Sequence, residues 1–278
     1  MDQEYDEIGV WSEVKLAIVK DYAAAYATIM DAARRKSIPS LKWIYIDAYA
    51  GPGIHLSRET GETVKGSPLI AVNTNPPFHE YHFIDSNPKR VEQLRLLTRD
   101  MENVFTYEDS CDNVLMQKVF PRAEYRDFRR ALCLLDPYSI DLNWRLIEKA
   151  GKMGSVEVFV NFMIMDVNRN VLRNDPLAGK VEQMTRLWGD ETWRDHAYYK
   201  TPTLFEEDKL SKVSNERLAE AFRRRLVDKA GFKYVPKPMP MKTKSNSIIY
   251  YLYFASPNNA GAHIVEDIFS KYSRDQGF

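Results

Sequence analysis

The sequence predicts an α/β fold, with a mainly parallel seven-stranded sheet, helices on both faces and a helical insertion. Short apolar runs alternate along the chain with segments of helical periodicity, which implies right-handed crossovers between parallel strands. Four of the runs end in an aspartate, and a glycine-rich loop follows one of them directly. Ligands of open α/β sheets bind beyond the carboxyl ends of the strands. The pattern therefore predicts a ligand site at that edge of the sheet.

The first half of the chain supplies four of the predicted strands. A long helix is expected over 12–36, because apolar residues recur along one broad face, with Ser12 as its N-cap. The segment 54–67 is rich in Gly, Ser and Thr, and we expect a loop added near the site. Pro68 suits the first turn of a short helix. The strands are expected at 43–47, 80–85, 103–109 and 131–136, and further helices from Asn87 and over 112–120.

The second half supplies the other three strands and the insertion. The polar segment 166–215, which contains Trp188 and Trp193, is expected to be a helical insertion or lid rather than sheet. We expect it to lie within a single domain that spans residues 1–278. Pro236 and Pro238 interrupt the sixth strand. The strands are expected at 156–162, 232–235 and 248–255, and the helices at 214–229 and 260–272. Gly231 is expected to terminate the first of these helices.

Composition narrows the class of protein. A hydrophobic fraction of 44% and a charged fraction of 28% are ordinary for a globular protein, and the formal net charge is zero. A neutral chain has no overall field to attract nucleic acid, so such binding would depend on local basic patches. Cys111 and Cys133 show no metal-binding spacing, which disfavours both a metal site and a disulfide framework. With no signal peptide and no membrane-spanning run, the expected location is the cytoplasm.

The loop after the first strand carries the pattern Asp-x-aromatic-x-Gly-x-Gly, from Asp47 to Gly53. Gly51 and Gly53 lack Cβ, so a ligand can approach the backbone closely. The pattern differs from the Gly-x-Gly-x-x-Gly of dinucleotide binders, which disfavours a nicotinamide oxidoreductase. It resembles the first motif of class I S-adenosylmethionine (SAM) methyltransferases, in a form common among nucleic-acid enzymes. The alternative is an ordinary strand followed by a glycine turn.

The resemblance to SAM enzymes assigns roles to the residues at the strand ends. The expected cofactor-binding residues are Asp47, Tyr49, Gly51, Gly53, Asp85 and Asp109. Asp85 suits the ribose diol, because a carboxylate can accept two hydrogen bonds from it. Asp109 would lie near the adenine amino group, and the glycine loop would face the methionine half. Two alternatives remain open: Asp85 caps the helix that begins at Asn87, and Asp109 with Ser110 forms an N-cap.

The expected catalytic residues are Asp136, Pro137 and Tyr138, which follow the fourth strand. They are similar to the Asp/Asn-Pro-Pro-Tyr/Phe loop of amino-group methyltransferases, in which oxygen acceptors orient the amine and the ring stacks on the base. With one proline, they more closely resemble the Asp-Pro-Phe-Gly loop of tRNA guanine-N2 methyltransferases. The alternative is a strand-to-turn junction in which Pro137 fixes the backbone.

These motifs occur together in one family, the three-Cys-motif partner (TcmP) proteins, which the chain resembles over nearly its full length. The matching stretches are Lys15–Tyr22, Tyr45–Gly53, Gly66–Leu69, Phe83–Asp85, Leu134–Tyr138, Val160–Phe162 with Arg169, and Tyr251–Ser256. The chain has Tyr49 and Tyr138 where the family usually has Phe, and Ser139 where it has Gly. The resemblance implies a methyltransferase-like fold and a partner protein that carries the cysteine motif. It does not fix a substrate.

The leading hypothesis is a SAM-dependent methyltransferase that acts on an amino nitrogen, chiefly of a DNA or RNA base. The competing hypothesis is a non-catalytic methyltransferase-fold protein that docks to another protein, and a third is a small-molecule methyltransferase. Two basic clusters are candidates for contacting phosphates, although charge runs are usually solvated surface. They comprise Arg122, Arg126, Arg129 and Arg130, and Arg223, Arg224 and Arg225.

Overall fold

The protein is described by a computed structural model that covers residues 5–173, 175–201 and 209–275. The strands are β1 (Asp6–Ile8), β2 (Lys42–Asp47), β3 (Ile54–Ser57), β4 (Thr63–Lys65), β5 (Glu80–Asp85), β6 (Val104–Glu108), β7 (Arg129–Leu135), β8 (Val156–Phe162), β9 (Tyr198–Thr201), β10 (Lys209–Lys212), β11 (Met239–Lys242) and β12 (Ile248–Ala255). The helices are α1 (Val10–Lys36), α2 (Ser67–Val72), α3 (Pro88–Leu97), α4 (Cys111–Val114), α5 (Trp144–Met153), α6 (Ile164–Asp166), α7 (Ala178–Trp188), α8 (Trp193–Ala197), α9 (Asn215–Asp228) and α10 (Asn259–Asp275).

Seven of the strands form one sheet in the order β11-β12-β8-β7-β2-β5-β6. The five adjacent strands β6, β5, β2, β7 and β8 run parallel to one another, and β12 is antiparallel to both of its neighbours, β8 and β11. The chain enters this sheet at β2 and continues to β5 and β6 on one side of it. It then crosses to β7, on the other side of β2. The order of the sheet reverses there, between β2 and β7, which is where α/β proteins bind ligands. This sheet confirms the predicted Rossmann-like fold of class I methyltransferases.

The sheet is buried on both faces, which explains its continuous apolar runs. Successive residues of β2 point to opposite sides: Trp43 and Tyr45 join the core under α1 and α10, whereas Ile44 and Ile46 join the core under α5 and α9. The bounds predicted for β5, β8 and β12 are confirmed. Apolar, β-prone residues make up much of each of those strands, which favoured these bounds.

The first helix begins two residues earlier than predicted. It starts at Val10, and Gly9 rather than Ser12 is its N-cap. The Ser12 amide donates to the Gly9 carbonyl at 2.9 Å, so Ser12 already lies inside the first turn. The prediction that Ser12 is the N-cap was therefore wrong, because the position of a cap depends on where the backbone turns and not on residue type alone.

The predicted loop at 54–67 is in fact a β-hairpin. Strands β3 and β4 pair antiparallel, and β1 adds to β3 in parallel, with Glu7 opposite Leu56. The composition of the segment indicated a loop, but pairing with a strand almost fifty positions earlier decides the outcome. Strand formation depends on such neighbours more than on local preference. The hairpin and the N-terminal strand together form a small three-stranded sheet, which we call the N-terminal sheet.

The predicted sixth strand at 232–235 is wrong. Tyr234 makes only an isolated bridge with Ser256, and the strand of the main sheet is β11, after Pro238. Strand β11 contains Pro240, which it tolerates because it is the outermost strand and pairs with β12 alone.

The described residues of the segment 166–215 are mainly helical, and they also contain the antiparallel strands β9 and β10, which corrects the expectation of a segment without sheet. Trp188 and Trp193 are buried in the core beside α9. Residue 174 and residues 202–208 of this segment lie outside the described part of the chain. That the segment acts as a lid stays a prediction. Over the residues described, no helix combines the length and apolar character needed to cross a membrane.

Candidate functional site

A cavity of about 230 Å³ lies at the carboxyl ends of β2, β7 and β8, where the order of the sheet reverses. The start of α1 and the N-terminal sheet form its other walls. The polar side chains that line it include Lys15, His55, Asp136, Tyr138 and Asn161. Among the residues described, none from 166–215 lines this cavity. The N-terminal sheet, rather than the insertion, therefore covers the strand ends.

Asp136 is held by two partners from distant parts of the chain. Its Oδ2 forms an ion pair with the Lys15 ammonium of α1, and its Oδ1 accepts from the Asn161 side-chain amide of β8. Lys15 and Asn161 are only 8% and 2% exposed. Charge-assisted hydrogen bonds of this kind fix both position and orientation. The carboxylate is thus immobilised at the wall of the cavity.

Tyr138 lies at the mouth of the cavity and is 63% exposed as a residue. The Arg90 guanidinium stacks over the ring at 5.0 Å, and the Tyr138 hydroxyl donates to Asp6 Oδ2 at 3.4 Å. Arg90 also pairs with Asp6 at 2.9 Å. Three side chains, from β1, α3 and the loop after β7, therefore meet across the mouth. We call this group the Asp6–Arg90–Tyr138 clasp.

Asp47 ends β2 and is fully buried. Its Oδ1 accepts from the Tyr49 amide at 3.4 Å, and its Oδ2 has no hydrogen-bond partner in the described structure. Burial, together with the negative charge of Asp136, raises the pKa of Asp47 to about 7. Asp47 is therefore largely protonated below that pH and serves as a hydrogen-bonding group behind the cavity rather than as a fixed charge.

Asp85 ends β5 and anchors the glycine loop. Its Oδ2 accepts from the Gly51 amide at 3.0 Å, its Oδ1 accepts from the Asn87 amide at 2.8 Å, and Arg90 lies 3.8 Å away. The cap of α3 is Asn87, whose side chain accepts from the Lys89 amide. Asp85 does not line the cavity, but its bond to Gly51 fixes the stretch of backbone that does.

The two glycines of the loop face different surroundings. Gly51 has φ +64°, and a Cβ there would lie 3.6 Å from His55 Cε1 and 3.9 Å from the Tyr138 hydroxyl, so it faces the cavity. Gly53 has φ +83°, and a Cβ there would lie 2.9 Å from Leu94 Cδ2, so it faces α3. Gly53 lets the loop pack on the helix. Its predicted contact with a cofactor stays a prediction.

The other predicted cofactor residues already have partners within the protein. Asp109 accepts from the Asn113 side chain at 2.6 Å and from the Ser110 amide, beside the Ser110 cap of α4. This arrangement matches the capping alternative, and Asp109 lies outside the cavity. Tyr49 lines the cavity, and its hydroxyl donates to the Asp141 carbonyl at 2.7 Å. Predicted catalytic residues Asp136, Pro137 and Tyr138 all line the cavity together with Gly51.

Sequence reasoning missed three residues of the site: Lys15, His55 and Asn161. Asn161 carried a usable signal, since an amide near the end of an otherwise apolar strand needs a partner. Lys15 falls within a stretch that resembles the TcmP family, but its role was not predictable. His55 lies in the segment expected to be a loop. Its Nδ1 and the Asn161 Oδ1 are buried without partners in the part of the chain described.

A SAM-type ligand fits this site in part. Ligand sites of drug size measure about 300–1,000 Å³, so a cavity of about 230 Å³ suits the methionine half and a small acceptor group. Asp47, His55 and Asn161 each offer a buried polar atom that has no described partner. Asp85 lies beyond Gly51, and both of its oxygens already accept backbone hydrogen bonds, so its contact with a ribose diol stays a prediction. The rest of the ligand would lie on the side of the cavity nearest Asp85, which the Asp6–Arg90–Tyr138 clasp occupies.

The two predicted basic clusters lie away from the cavity. Arg122 and Arg129 pair with Glu80 at 2.9 and 2.7 Å, at the amino ends of β5 and β7, which is the opposite edge of the sheet. Arg223 and Arg224 pair with Glu220, and Arg225 pairs with Asp190. Three carboxylates therefore pair with five of the seven arginines and offset part of their charge. Contact of these clusters with nucleic acid stays a prediction.

Comparison with known proteins adds little beyond the fold. No protein-family model and no curated protein matches the chain, so membership of the TcmP family stays a prediction. A Legionella pneumophila protein of solved structure is 9% identical, with 92% of each chain covered and a TM-score of 0.46. A candidate methyltransferase from Thermobifida fusca is 13% identical, with a TM-score of 0.42. The match covers 88% of this chain and 79% of the Thermobifida chain.

A third solved structure, the trans-methyltransferase CalH in complex with SAH, is 12% identical and has a TM-score of 0.38. It covers 85% of this chain and 56% of its own. At such identities and TM-scores these likenesses carry no argument about activity. The fold assignment rests on the strand order, which defines a class I methyltransferase-like protein.

Proposed function

We propose that the protein is a SAM-dependent methyltransferase that transfers a methyl group to an amino nitrogen, most specifically of a nucleobase. The observation that carries the proposal is the immobilised Asp136 carboxylate. It lines the same cavity as Tyr138 and Gly51, at the point where the sheet order reverses. A strand-to-turn junction would need neither a buried lysine nor a buried amide to hold its aspartate.

The chain's own residues would position the acceptor. When bound, SAM would supply an electrophilic methyl group. Asp136 can accept a hydrogen bond from the acceptor amine, because each carboxylate oxygen has a second lone pair beyond those used by Lys15 and Asn161. The face of the Tyr138 ring that Arg90 does not cover could stack on a planar base. Placing a nucleophile in line with the methyl group can supply roughly 7–11 kcal/mol of the barrier.

A second candidate function is a methyltransferase-fold protein that binds a partner protein without catalysis. The Asp6–Arg90–Tyr138 clasp favours it, since these side chains occupy the side of the cavity on which the adenosine part would lie. A partner carrying a three-Cys motif is the occupant implied by the family resemblance. The two functions differ in whether SAM binds and whether its methyl group leaves.

The test combines SAM binding with methyl transfer. Calorimetric titration with SAM and with its demethylated product measures binding. Incorporation of labelled methyl from SAM into total RNA, DNA and protein measures transfer. Asp136→Asn keeps the size of the side chain and removes its charge, and Asp267→Asn on the outer face of α10 is the matched control.

We expect wild type and Asp267→Asn to label RNA or DNA, and Asp136→Asn to label it about 100-fold less, because positioning is lost. The SAM affinity of Asp136→Asn should stay within about threefold, or ~0.7 kcal/mol, of wild type. Equal labelling by Asp136→Asn and wild type would remove Asp136 from the mechanism. If wild type binds SAM but labels no pool, or binds no SAM, the partner-protein function is favoured.

A further inference from the structure

The imidazole of His55 is inserted between two glycines beside the cavity. His55 lies on β3, and its Cε1 is 3.6 Å from the position that a Cβ on Gly51 would take. Its Nε2 is 2.9 Å from the position that a Cβ on Gly66 would take, so a side chain there would force the ring to shift. The absence of side chains at both positions thus makes room for the ring. The N-terminal sheet delivers it to the same cavity as Asp136 and Tyr138.

The ring is neutral at physiological pH. Burial lowers the pKa of His55 below its ordinary value of 6.5. Four charged groups face it: Asp6 of β1 and Asp136 after β7 act to raise the pKa, whereas Lys15 of α1 and Arg90 of α3 act to lower it. The charges oppose one another, so burial decides the direction. A neutral imidazole has one nitrogen with a free lone pair, and Nδ1 has no partner in the described structure.

Asp136 already has two partners in this site. Its carboxylate pairs with the ammonium of Lys15, which is 8% exposed, and accepts from the side-chain amide of Asn161. These contacts suit the carboxylate to orienting the acceptor. Among the described side chains that line the cavity, His55 is the neutral base. Orientation of the acceptor and removal of its proton therefore fall to different residues.

We propose that His55 is a further catalytic residue, which accepts the proton released by the acceptor amine during methyl transfer. The proposal rests on the proposed function. As the acceptor nitrogen forms its bond to the methyl carbon of a sulfonium donor, the carbon–sulfur bond breaks and its electron pair stays on sulfur. The proton leaves the acceptor nitrogen for an imidazole nitrogen of His55. The imidazolium returns that proton to water after the products leave.

Three measurements test the proposal on the full-length chain. NMR titration of the histidine ring protons gives the pKa of His55, which is assigned as the signal lost in His55→Gln among the five histidines. Calorimetry gives the SAM affinity. Labelled methyl transfer between about pH 5 and pH 8.5 gives the rate profile of wild type, His55→Gln and the exposed control His263→Gln.

We expect a His55 pKa below 6.5 by NMR, and a wild-type rate that falls on the acid side of that same value. His55→Gln should lose about 100-fold in rate at neutral pH and should lose the acid limb, because glutamine cannot take the proton. Its SAM affinity should match that of wild type, as should the rate of His263→Gln. Imidazole added to the buffer should restore part of the rate of His55→Gly, which a purely structural role would not allow.

The outcomes distinguish failure of the role of His55 from failure of the proposed methyltransferase function. An active wild type with a His55→Gln variant that keeps both rate and acid limb would overturn the role of His55 and leave the methyltransferase standing. A His55 pKa at or above its ordinary value, with no match to the rate profile, would also overturn it. A wild type that binds SAM and labels no acceptor pool would overturn both.

Discussion

The two edges of the main sheet both carry clusters of charged and polar groups, but they differ in how completely those groups are paired. At the amino-terminal edge, Glu80 accepts from Arg122 and Arg129 and contacts the buried His82 at 3.3 Å. Burial alone would raise the pKa of Glu80, but the hydrogen bonds from His82, Arg122 and Arg129 outweigh it and hold that pKa well below its usual value.

At the carboxyl-terminal edge, three buried polar atoms have no partner in the part of the chain described. They are Asp47 Oδ2, His55 Nδ1 and Asn161 Oδ1. Buried polar atoms are normally satisfied, because each unpaired one costs about 1–3 kcal/mol. Two of these atoms belong to His55 and Asn161, which line the cavity, so a ligand there could supply the missing hydrogen bonds. The paired cluster stabilises the fold, and the incompletely paired cluster is the one suited to a ligand.

The largest effect should come from exchanging one carboxylate for an amide at each edge. Glu80→Gln removes the counter-charge of Arg129 and Arg122 and should cost about 2 kcal/mol of unfolding free energy, below the 3–5 kcal/mol of a fully buried pair, since Arg122 is 44% exposed. Methyl transfer below the unfolding temperature should not change. Asp136→Asn should lose activity as given above, and it should also lose stability, because it leaves the buried Lys15 ammonium without its counter-charge. Urea unfolding and the transfer assay compare both; a Glu80→Gln variant that is stable but inactive would contradict the distinction.

The pH dependence of stability should single out Asp47. Its pKa of about 7 in the folded protein lies above the unfolded value of 3.8, so the folded state holds the proton more tightly and stability falls as pH rises toward and through 7. Between about pH 5.5 and about pH 8.5 this one group should cost about 2 kcal/mol. Asp47→Asn should lack that part of the decline. Urea unfolding at the two pH values measures it, and parallel declines in both proteins would show that Asp47 ionises normally.

The glycine loop offers a smaller contrast between neighbouring positions. Alanine at Gly51 or Gly53 must adopt positive φ, at roughly 1–2 kcal/mol. Gly53→Ala also meets Leu94 and should lose more stability, whereas Gly51→Ala projects a methyl group into the cavity and should lose more SAM affinity. Thermal unfolding and calorimetry on both variants rank them. The reverse ranking of affinity would place the cofactor on the α3 side of the loop.

The smallest effect is expected at Tyr138. Tyr138→Phe keeps the ring and loses only a long hydrogen bond to Asp6, so methyl transfer should change by less than about threefold, equivalent to less than ~0.7 kcal/mol. Tyr138→Ala removes the stacking surface and should lose roughly 1–3 kcal/mol of acceptor binding, seen as a raised KM. A large loss in Tyr138→Phe would assign the hydroxyl a direct part in the reaction.

Much of the fold and part of the site followed from the sequence alone. Strands β8 and β12 were predictable because both faces of the sheet are buried, so apolar, β-prone residues dominate them. Strand β5 has fewer apolar residues, but its Tyr, Phe and Ile are still β-prone. The positions of Asp47 and Asp136 followed as well, since parallel strands bring their carboxyl ends to one edge. Gly51 was predictable because a chain turning beside a ligand needs a residue that accepts positive φ.

Only the tertiary structure decided which side chains meet there. Lys15 lies 121 positions from Asp136, and Asn161 lies 25 positions from it, so no local pattern links the three. His55 reaches the cavity because the hairpin pairs with β1, and pairing between distant strands depends on the assembled surface more than on local composition. The roles of Gly51 and Gly53 were separated in the same way, by whether a cavity or α3 lies beside each. Sequence set the positions along each strand, and the packing of distant elements set what each position faces.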